Sequence, residues 1–311
     1  MPKVLITPRS YGLYNRELNR MWEQAGFETM REVGPLPDER MRELLKEADA
    51  LIVGTDKLSE AAIDAAPRLK VISKYGVGVD NIPVGYAESK GVKVVNTPGV
   101  NNESVADYTL ALILAAARSI PYNHAELVAG RWSKTTGVEI HRKTIGILGF
   151  GAIGRAVARR AQGFEMTVLA YDPYVDEAAM SELGAVKASF DELIVQSDIV
   201  SVHMPLTAET KDLLNADVFR RMKPDAIVVN TSRGGVVSEH DLYEALKEKR
   251  IRGAALDVFS EEPLRHSPLF ELDNVVLTPH NAAATVEAVQ RMTVESTRNV
   301  LALFGREEVL P

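Results

Sequence analysis

The chain has 311 residues, 46% of them hydrophobic and 25% charged, with a net charge of −7 and no cysteine. This composition is that of a water-soluble globular protein, and the length suits two domains, since single cores seldom grow past about 250 residues. The interspersed acids speak against a nucleic-acid partner, which needs a basic face. The missing cysteines exclude disulfides, thiolate chemistry and a zinc–thiolate site; no metal site is expected, and a cytoplasmic location fits.

In chain order, short Val- and Ile-rich runs alternate with helix-like segments. The first, Val4–Ile6, is closed by Pro8 and carries no hydrophobic stretch of signal-peptide length. Runs at Ala50–Val53, Val71–Ser73 and Val92–Val95 follow. Thr97-Pro98-Gly99 then breaks the pattern, and a long helix is expected to start near Asn102. Its apolar stretch, Tyr108 to Ala117, is shorter than the about 20 residues of a bilayer span, so no membrane partner is expected. Later runs lie at Thr144–Leu148, Thr167–Tyr171, Ile199–His203, Ala226–Asn230, Ala254–Phe259 and Val275–Leu277. Thr278-Pro279-His280 ends the last, and a helix is expected from about Thr285 to Phe304. Strands spaced by helices in this way predict parallel sheets covered on both faces. The expected fold class is therefore α/β, with two doubly wound parallel-sheet domains of Rossmann or flavodoxin-like kind and a cleft between them. Residues 99–284 would form one domain, and 1–98 with 285–311 the other.

The most informative segment is 146–172. An apolar run leads into Gly149-Phe150-Gly151-Ala152-Ile153-Gly154, a helix-like stretch follows, and a second run ends in Asp172. Gly149 permits a tight turn, Gly151 lets backbone approach a pyrophosphate, and Gly154 lets the helix pack close to the strand. The helix N-terminus offers N–H donors and a positive dipole end to the phosphates. Asp172 falls eighteen residues beyond Gly154, near the spacing of a ribose-binding acid. A carboxylate there repels a 2′-phosphate, and no arginine follows it, so the cofactor expected is NAD rather than NADP. Gly76-Val77-Gly78 is only a partial match, lacking the third glycine.

Arg233, Glu262 and His280 each lie just past the carboxyl end of an expected parallel strand. In an open parallel sheet those ends face one crevice, which also receives the dinucleotide. Arg233 can hold a carboxylate through its planar fork, His280 can shuttle a proton near neutral pH, and Glu262 can orient the ring. Together they suit oxidation of a 2-hydroxy acid or reduction of a 2-keto acid. Singly, each also suits a turn or a helix cap. Of the other histidines only His203, at a strand end before Met204-Pro205, is a rival, and it is read as part of the cofactor wall.

The motifs KYGVGVDNI (74–82), TPGVNNESVADYTLALIL (97–114), GILGFGAIG (146–154), NTSRGGVV (230–237), GAALDVFSEEPL (253–264) and TPHNAAAT (278–285) run in order along nearly the whole chain. By these the chain resembles the D-isomer-specific 2-hydroxyacid dehydrogenases, and within them the short D-3-phosphoglycerate dehydrogenases. The resemblance implies that Arg233 binds substrate, Glu262 pairs with the histidine, and His280 is the acid/base. It implies that Lys74-Tyr75-Gly76-Val77-Gly78 is a substrate loop, with the Val77 and Gly78 N–H groups on the substrate carboxylate. Asp257 would hold the nicotinamide carboxamide. Asn101, Ala152, Ile153, Asp172, Met204, Thr231 and Ser232 would line the cofactor, with His203 and Pro205 beside them. It also implies a homodimer through the NAD-binding domain and the helix at 104–118.

The activity expected is NAD-dependent hydride transfer on a small D-2-hydroxy acid. The leading substrate is 3-phosphoglycerate, the first step of serine biosynthesis, with 3-phosphohydroxypyruvate reduced better than hydroxypyruvate. Two departures bear on this: Gly54 stands where a phosphate arginine would fall, and Lys74 and Lys134 stand in for two others. The near alternative is a hydroxypyruvate or glyoxylate reductase, and a further one an NAD-regulated binding protein akin to the family's corepressors. With residue 311 the last, no regulatory domain of the longer relatives and no serine feedback through one is expected.

Overall fold

The structure is a computed structural model in which residues 1–15, 17–306 and 308 are described. The chain divides into two compact units, Met1–Asn101 with Ala284–Pro311, and Asn102–Ala283. The first division thus falls at 101/102, where the long helix begins, rather than at 98/99. Residues 307 and 309–311 of the expected 285–311 segment lie outside the described residues.

The first unit begins with β1 (Lys3–Ile6), α1 (Leu18–Gln24), β2 (Glu28–Arg31), α2 (Asp38–Leu45), β3 (Ala50–Val53), α3 (Glu60–Asp64), β4 (Val71–Lys74), α4 (Val84–Ser89) and β5 (Lys93–Val95). Its sheet is parallel in the order β2-β1-β3-β4-β5. Side chains alternate across it as strand geometry requires. Val4, Ile6, Ala50 and Ile52 enter one apolar cluster with Trp22 and Met21 of α1. Leu5, Leu51 and Val53 enter the other with α2, α3 and α4.

The second unit runs through α5 (Asn102–Ala117), α6 (Ile120–Val128), β6 (Thr144–Leu148), α7 (Ala152–Gln162), β7 (Thr167–Tyr171), α8 (Glu177–Ser181), β8 (Ala185–Lys187), α9 (Phe190–Gln196), β9 (Ile199–Val202), α10 (Ala216–Arg221), β10 (Ile227–Asn230), α11 (Glu239–Lys247), β11 (Gly253–Leu256) and β12 (Val275–Leu277). The sheet order is β12-β11-β10-β9-β6-β7-β8, again parallel. Order reverses between β6 and β9, which makes the end of β6 the switch point where doubly wound sheets bind ligands. Ile227 and Val229 pack with α5 and α7 on one face, and Val228 packs with α9, α10 and α11 on the other. The chain then returns to the first unit as α12 (Val286–Leu303), started by the Thr285 side chain accepting the Ala288 N–H. Its Ala288, Val289, Met292, Val300 and Leu301 complete the cluster around Val4, Ile6 and Trp22.

Two expected runs end earlier as strands. Ile199–His203 stops at Val202 and Ala254–Phe259 at Leu256, where pairing with Leu148 and Leu277 ends. His203 and Asp257 therefore sit on loops beyond strand ends, free to turn toward neighbouring loops. Among the described residues, no helix is long and apolar enough to cross a membrane.

Candidate active site

The glycine turn follows β6 at the switch point. Gly149 has φ +92°, and a Cβ there would stand 2.7 Å from the His203 carbonyl oxygen. A Cβ at Gly154 would fall 2.2 Å from the Gly149 oxygen, so helix and turn are in backbone contact. At Gly151 the space is open: a Cβ would meet nothing within 4 Å. Gly151 is also the N-cap of α7, with no side-chain cap and no acid in the first turn, so the leading N–H groups of the helix that Ala152 and Ile153 begin receive no side-chain cap from Gly151. Asp172, ending β7, accepts the Phe150 N–H at 2.8 Å and the Tyr174 N–H at 2.9 Å, which fixes its carboxylate beside the turn. His203 donates its N–H to Leu148 O at 2.7 Å, and its Nε2 lies 2.8 Å from Ser201 Oγ. Among the described residues its buried Nδ1 has no partner, and burial pushes the imidazole pKa down to about 3, so the ring is neutral. An uncapped helix end, open space at Gly151 and an orphaned ring nitrogen beside them fit a dinucleotide cofactor. Met204 is buried against Gly149, where a Cβ would lie 3.0 Å from its Cγ, and Pro205 is exposed.

Three loops past β10, β11 and β12 carry the polar residues. After β10, Asn230 Oδ1 accepts from Ser232 N and Oγ (3.0 and 2.8 Å), and Asn230 Nδ2 donates to Arg233 O at 2.8 Å. Arg233 donates from Nη1 to Ser232 O at 2.6 Å. Thr231 is buried, its hydroxyl 2.9 Å from that of Thr109 on α5. A Cβ at Gly234 would lie 1.9 Å from the carbonyl carbon of Phe259, so the Arg233 and Glu262 loops touch through bare backbone. Glu239, opening α11, accepts the Ser260 N–H at 2.6 Å and ties that second loop again.

Glu262 meets His280 directly, Oε2 to Nδ1 at 2.7 Å, while its Oε1 accepts the Phe259 N–H at 3.0 Å. Burial alone would raise the Glu262 pKa. The His280 hydrogen bond and charge, the Phe259 N–H and the Arg233 charge outweigh it and hold the carboxyl below its ordinary 4.5. The carboxylate is thus ionised at neutral pH and can only accept, so Nδ1 carries a proton and Nε2 is left to exchange one. His280 has a left-handed backbone, φ +51°, which costs a non-glycine residue on the order of 1 kcal/mol or more. The donation of its N–H to Asp257 O at 2.8 Å is one compensation. Asp257 itself is fully buried. The structure therefore assembles Arg233, Glu262 and His280 within the second unit.

Lys74 to Gly78 and Asn101 belong to the first unit. Gly76 has φ +134°; its N–H donates to Thr97 Oγ1 at 3.0 Å, and its carbonyl accepts from the Thr97 N–H and hydroxyl, both at 3.0 Å. Asn96 Nδ2 donates to Val77 O at 2.7 Å. Among the described residues, the Val77 and Gly78 N–H groups meet no protein acceptor, leaving two donors side by side. Lys74 is buried and its Nζ donates to Gly54 O (2.5 Å) and Asn81 Oδ1 (2.8 Å), joining the ends of β3 and β4. Tyr75 is buried with its hydroxyl 3.2 Å from Val289 O on α12. Among the described residues the buried Asn101 Oδ1 has no hydrogen-bond partner.

Sequence reasoning missed the residues that hold these loops. Asn230 had a local signal, a strand-end Asn two residues before Ser232. Glu239, Thr109, Asn96 and Thr97 had none, because each partner lies far along the chain.

Residues 110–282 match the family model described as D-isomer specific 2-hydroxyacid dehydrogenase, NAD binding domain. The chain is 41% identical over 320 aligned positions to a glyoxylate reductase of Pyrococcus furiosus, covering 100% of this chain and 94% of that one. It is 45% identical over 258 positions to a D-3-phosphoglycerate dehydrogenase of Methanocaldococcus jannaschii, covering 81% of this chain but 49% of that protein. A crystal structure of D-lactate dehydrogenase from Aquifex aeolicus, complexed with NAD and lactic acid, superposes with a TM-score of 0.83 at 31% identity, covering 99% and 97% of the two chains. The chain belongs to the D-isomer-specific 2-hydroxyacid dehydrogenases, and it is an NAD-dependent oxidoreductase of that family acting on small 2-hydroxy or 2-keto acids.

Proposed function

We propose that this dehydrogenase reduces short, unphosphorylated 2-keto acids of the glyoxylate and hydroxypyruvate class with NADH, using Arg233, Glu262 and His280. The observation that carries the chemistry is the 2.7 Å contact between His280 Nδ1 and an ionised Glu262. Bound NADH supplies a hydride for the reduction, and NAD accepts one in reverse. His280 Nε2 delivers the proton to the substrate oxygen as it becomes an alkoxide, and takes it back in the oxidation. Glu262 keeps the ring oriented and stabilises its charged form. The Arg233 guanidinium is suited to the substrate carboxylate. The Val77 and Gly78 N–H groups form a second anion-binding pair in the first unit. Gly149, Gly151, Ala152, Ile153 and Gly154 hold the pyrophosphate, Asp172 the ribose, and His203, Met204, Pro205, Thr231, Ser232, Asp257 and Asn101 the rest of the cofactor.

The phosphorylated substrate expected from sequence gives way as the leading reading. Lys74, the cation offered in place of an arginine, already donates to Gly54 and Asn81, and Gly54 brings no charge of its own. The relatives matched over nearly their full length include glyoxylate reductases, while the phosphoglycerate dehydrogenase is matched over half of its length. The 45% identity to that enzyme keeps D-3-phosphoglycerate dehydrogenase as the second reading. NADH oxidation with glyoxylate, hydroxypyruvate and 3-phosphohydroxypyruvate separates the two. A higher kcat/KM for either unphosphorylated acid is expected, and a higher value for the phosphorylated one would overturn the assignment. Turnover with none of them would favour a binding role. Further parts of the proposal are a cytoplasmic location and a homodimer through the NAD-binding unit, the latter supported by exposed Ile120, Leu127, Val128 and Trp132 on and after α6.

A further inference from the structure

We propose that Lys74 and Asn81 are a pair of positioning residues, a clamp that closes the 75–80 loop at its neck and sets the Val77 and Gly78 N–H groups for a substrate carboxylate. The inference rests on the reading of those two N–H groups as an anion-binding pair. It gives the buried lysine a task other than holding a phosphate.

The loop leaves β4 after Lys74 and turns back at Asn81, all within the first unit. The two flanking side chains meet, Lys74 Nζ donating to Asn81 Oδ1 at 2.8 Å. Both also reach one carbonyl just past the end of β3: Gly54 O accepts Lys74 Nζ at 2.5 Å and Asn81 Nδ2 at 3.0 Å. Asn81 Nδ2 donates again to Asp56 O at 2.5 Å. A flipped amide would set its oxygen against two carbonyl oxygens and its N–H₂ against the ammonium, so one orientation is fixed. The lysine stem folds back under the loop, where a Cβ at Gly76 would lie 3.8 Å from Lys74 Cε. Above it Gly76 takes φ +134°, and Asn96 Nδ2 holds Val77 O at 2.7 Å.

Tying both ends of a short loop to one point removes most of its freedom. The tie is strong because a charged donor makes it and because Lys74 is only 8% exposed, which keeps water from competing. Without the ammonium, Asn81 Oδ1 and Gly54 O lose a donor, the neck opens and the two N–H groups diverge. The Glu262–His280 pair and the glycine turn belong to the other unit and keep their own contacts. The clamp therefore governs how tightly a carboxylate is held, not how fast a held substrate reacts.

Two variants of the full chain and their double test this. Lys74→Met keeps the stem and removes the ammonium; Asn81→Ala removes the partner. For each, kcat and KM are measured with glyoxylate, hydroxypyruvate and 3-phosphohydroxypyruvate. The Kd of NADH is measured by fluorescence, as is that of oxamate, a non-reacting keto-acid analogue, in the NADH complex. We expect each single variant to raise KM for all three acids and the oxamate Kd about tenfold, with kcat and NADH Kd within about threefold of wild type. The double should also cost about tenfold rather than about a hundredfold, because a shared contact is lost only once. Wild-type KM and oxamate Kd in either single variant overturns the proposal. A loss confined to 3-phosphohydroxypyruvate in Lys74→Met also overturns it and returns the lysine to a phosphate. A double variant near a hundredfold splits the pair into separate effects and overturns the clamp. Should Lys74→Met fail to fold, Asn81→Ala decides by the same readings. A wild-type preference for the phosphorylated acid instead rejects the proposed substrate, and the oxamate Kd still decides the clamp.

Discussion

At Gly234 a single hydrogen atom separates two functional loops. A methyl there would overlap the Phe259 carbonyl, 1.9 Å away and made of backbone that cannot rotate aside. Gly234→Ala should therefore lower kcat by at least about tenfold, with Arg233 and Glu262 forced apart, because small misplacements of reacting groups are expensive. Turnover equal to wild type would show that the two loops need not touch. Glu262→Gln tests the ion pair. The carboxyl pKa is depressed, so its contribution to stability is complete above its ordinary 4.5 and lost only as pH falls through the lowered value. The variant should thus lose stability at neutral pH, lose proportionately less on acidification, and lower kcat where His280 must be charged. His203 works in the opposite sense. Its folded pKa of about 3 lies below 6.5, so the unfolded chain binds the extra proton and stability falls as pH drops from 6.5 toward 3. At pH 5 that amounts to about 2 kcal/mol at 1.36 kcal/mol per unit. His203→Asn should flatten this part of the stability curve, measured by urea midpoints at a series of pH values. Arg233, Glu262 and His280 were legible in the sequence because each sits at the same offset from an apolar run. Asp257 was legible only as a family position, since its partners lie more than twenty residues on.

Among the elements, the buried central strands announce themselves. Ala50–Val53 and Thr167–Tyr171 are continuous apolar or near-apolar runs, as parallel strands covered on both faces must be. The two strands that escaped the sequence reading, β2 and β8, are sheet edges. Glu28–Arg31 is mostly exposed, and Ala185–Lys187 buries only its alanine. An edge strand needs no apolar run, and a charged one discourages pairing with another chain. The glycine turn and α7 were readable because glycine is demanded there by backbone contact, not by preference. Asp172 is placed by β7 and held by the Phe150 and Tyr174 N–H groups. Asp172→Ser should raise the NADPH to NADH ratio of kcat/KM by about tenfold or more, through loss of a repelling charge. An unchanged ratio would remove the ribose role.

For the molecule as a whole, the sequence conveyed two doubly wound units and a chain that leaves the first and returns to it. It did not convey that α6 has no buried residue or that Val128 at its end and Trp132 just beyond it are 74% and 82% exposed, an apolar patch of the kind the homodimer proposed above would use. The proposed homodimer predicts that Val128→Glu with Trp132→Ser elutes as a monomer where wild type elutes as a dimer; equal elution would point to another interface.

The return of the chain also sets an order of events at the ribosome. The cluster around Val4, Ile6 and Trp22 is finished by α12, and some 180 residues of the second unit are made in between. At roughly 5–20 residues per second, the first sheet waits about ten to forty seconds with its apolar face lacking that cover. The later-made unit needs no such wait, since all its strands are contiguous in the chain. Nascent chains arrested after both units have emerged, save for the last helix, should therefore yield to protease in their first hundred residues while the middle resists. The part translated first is the last to fold.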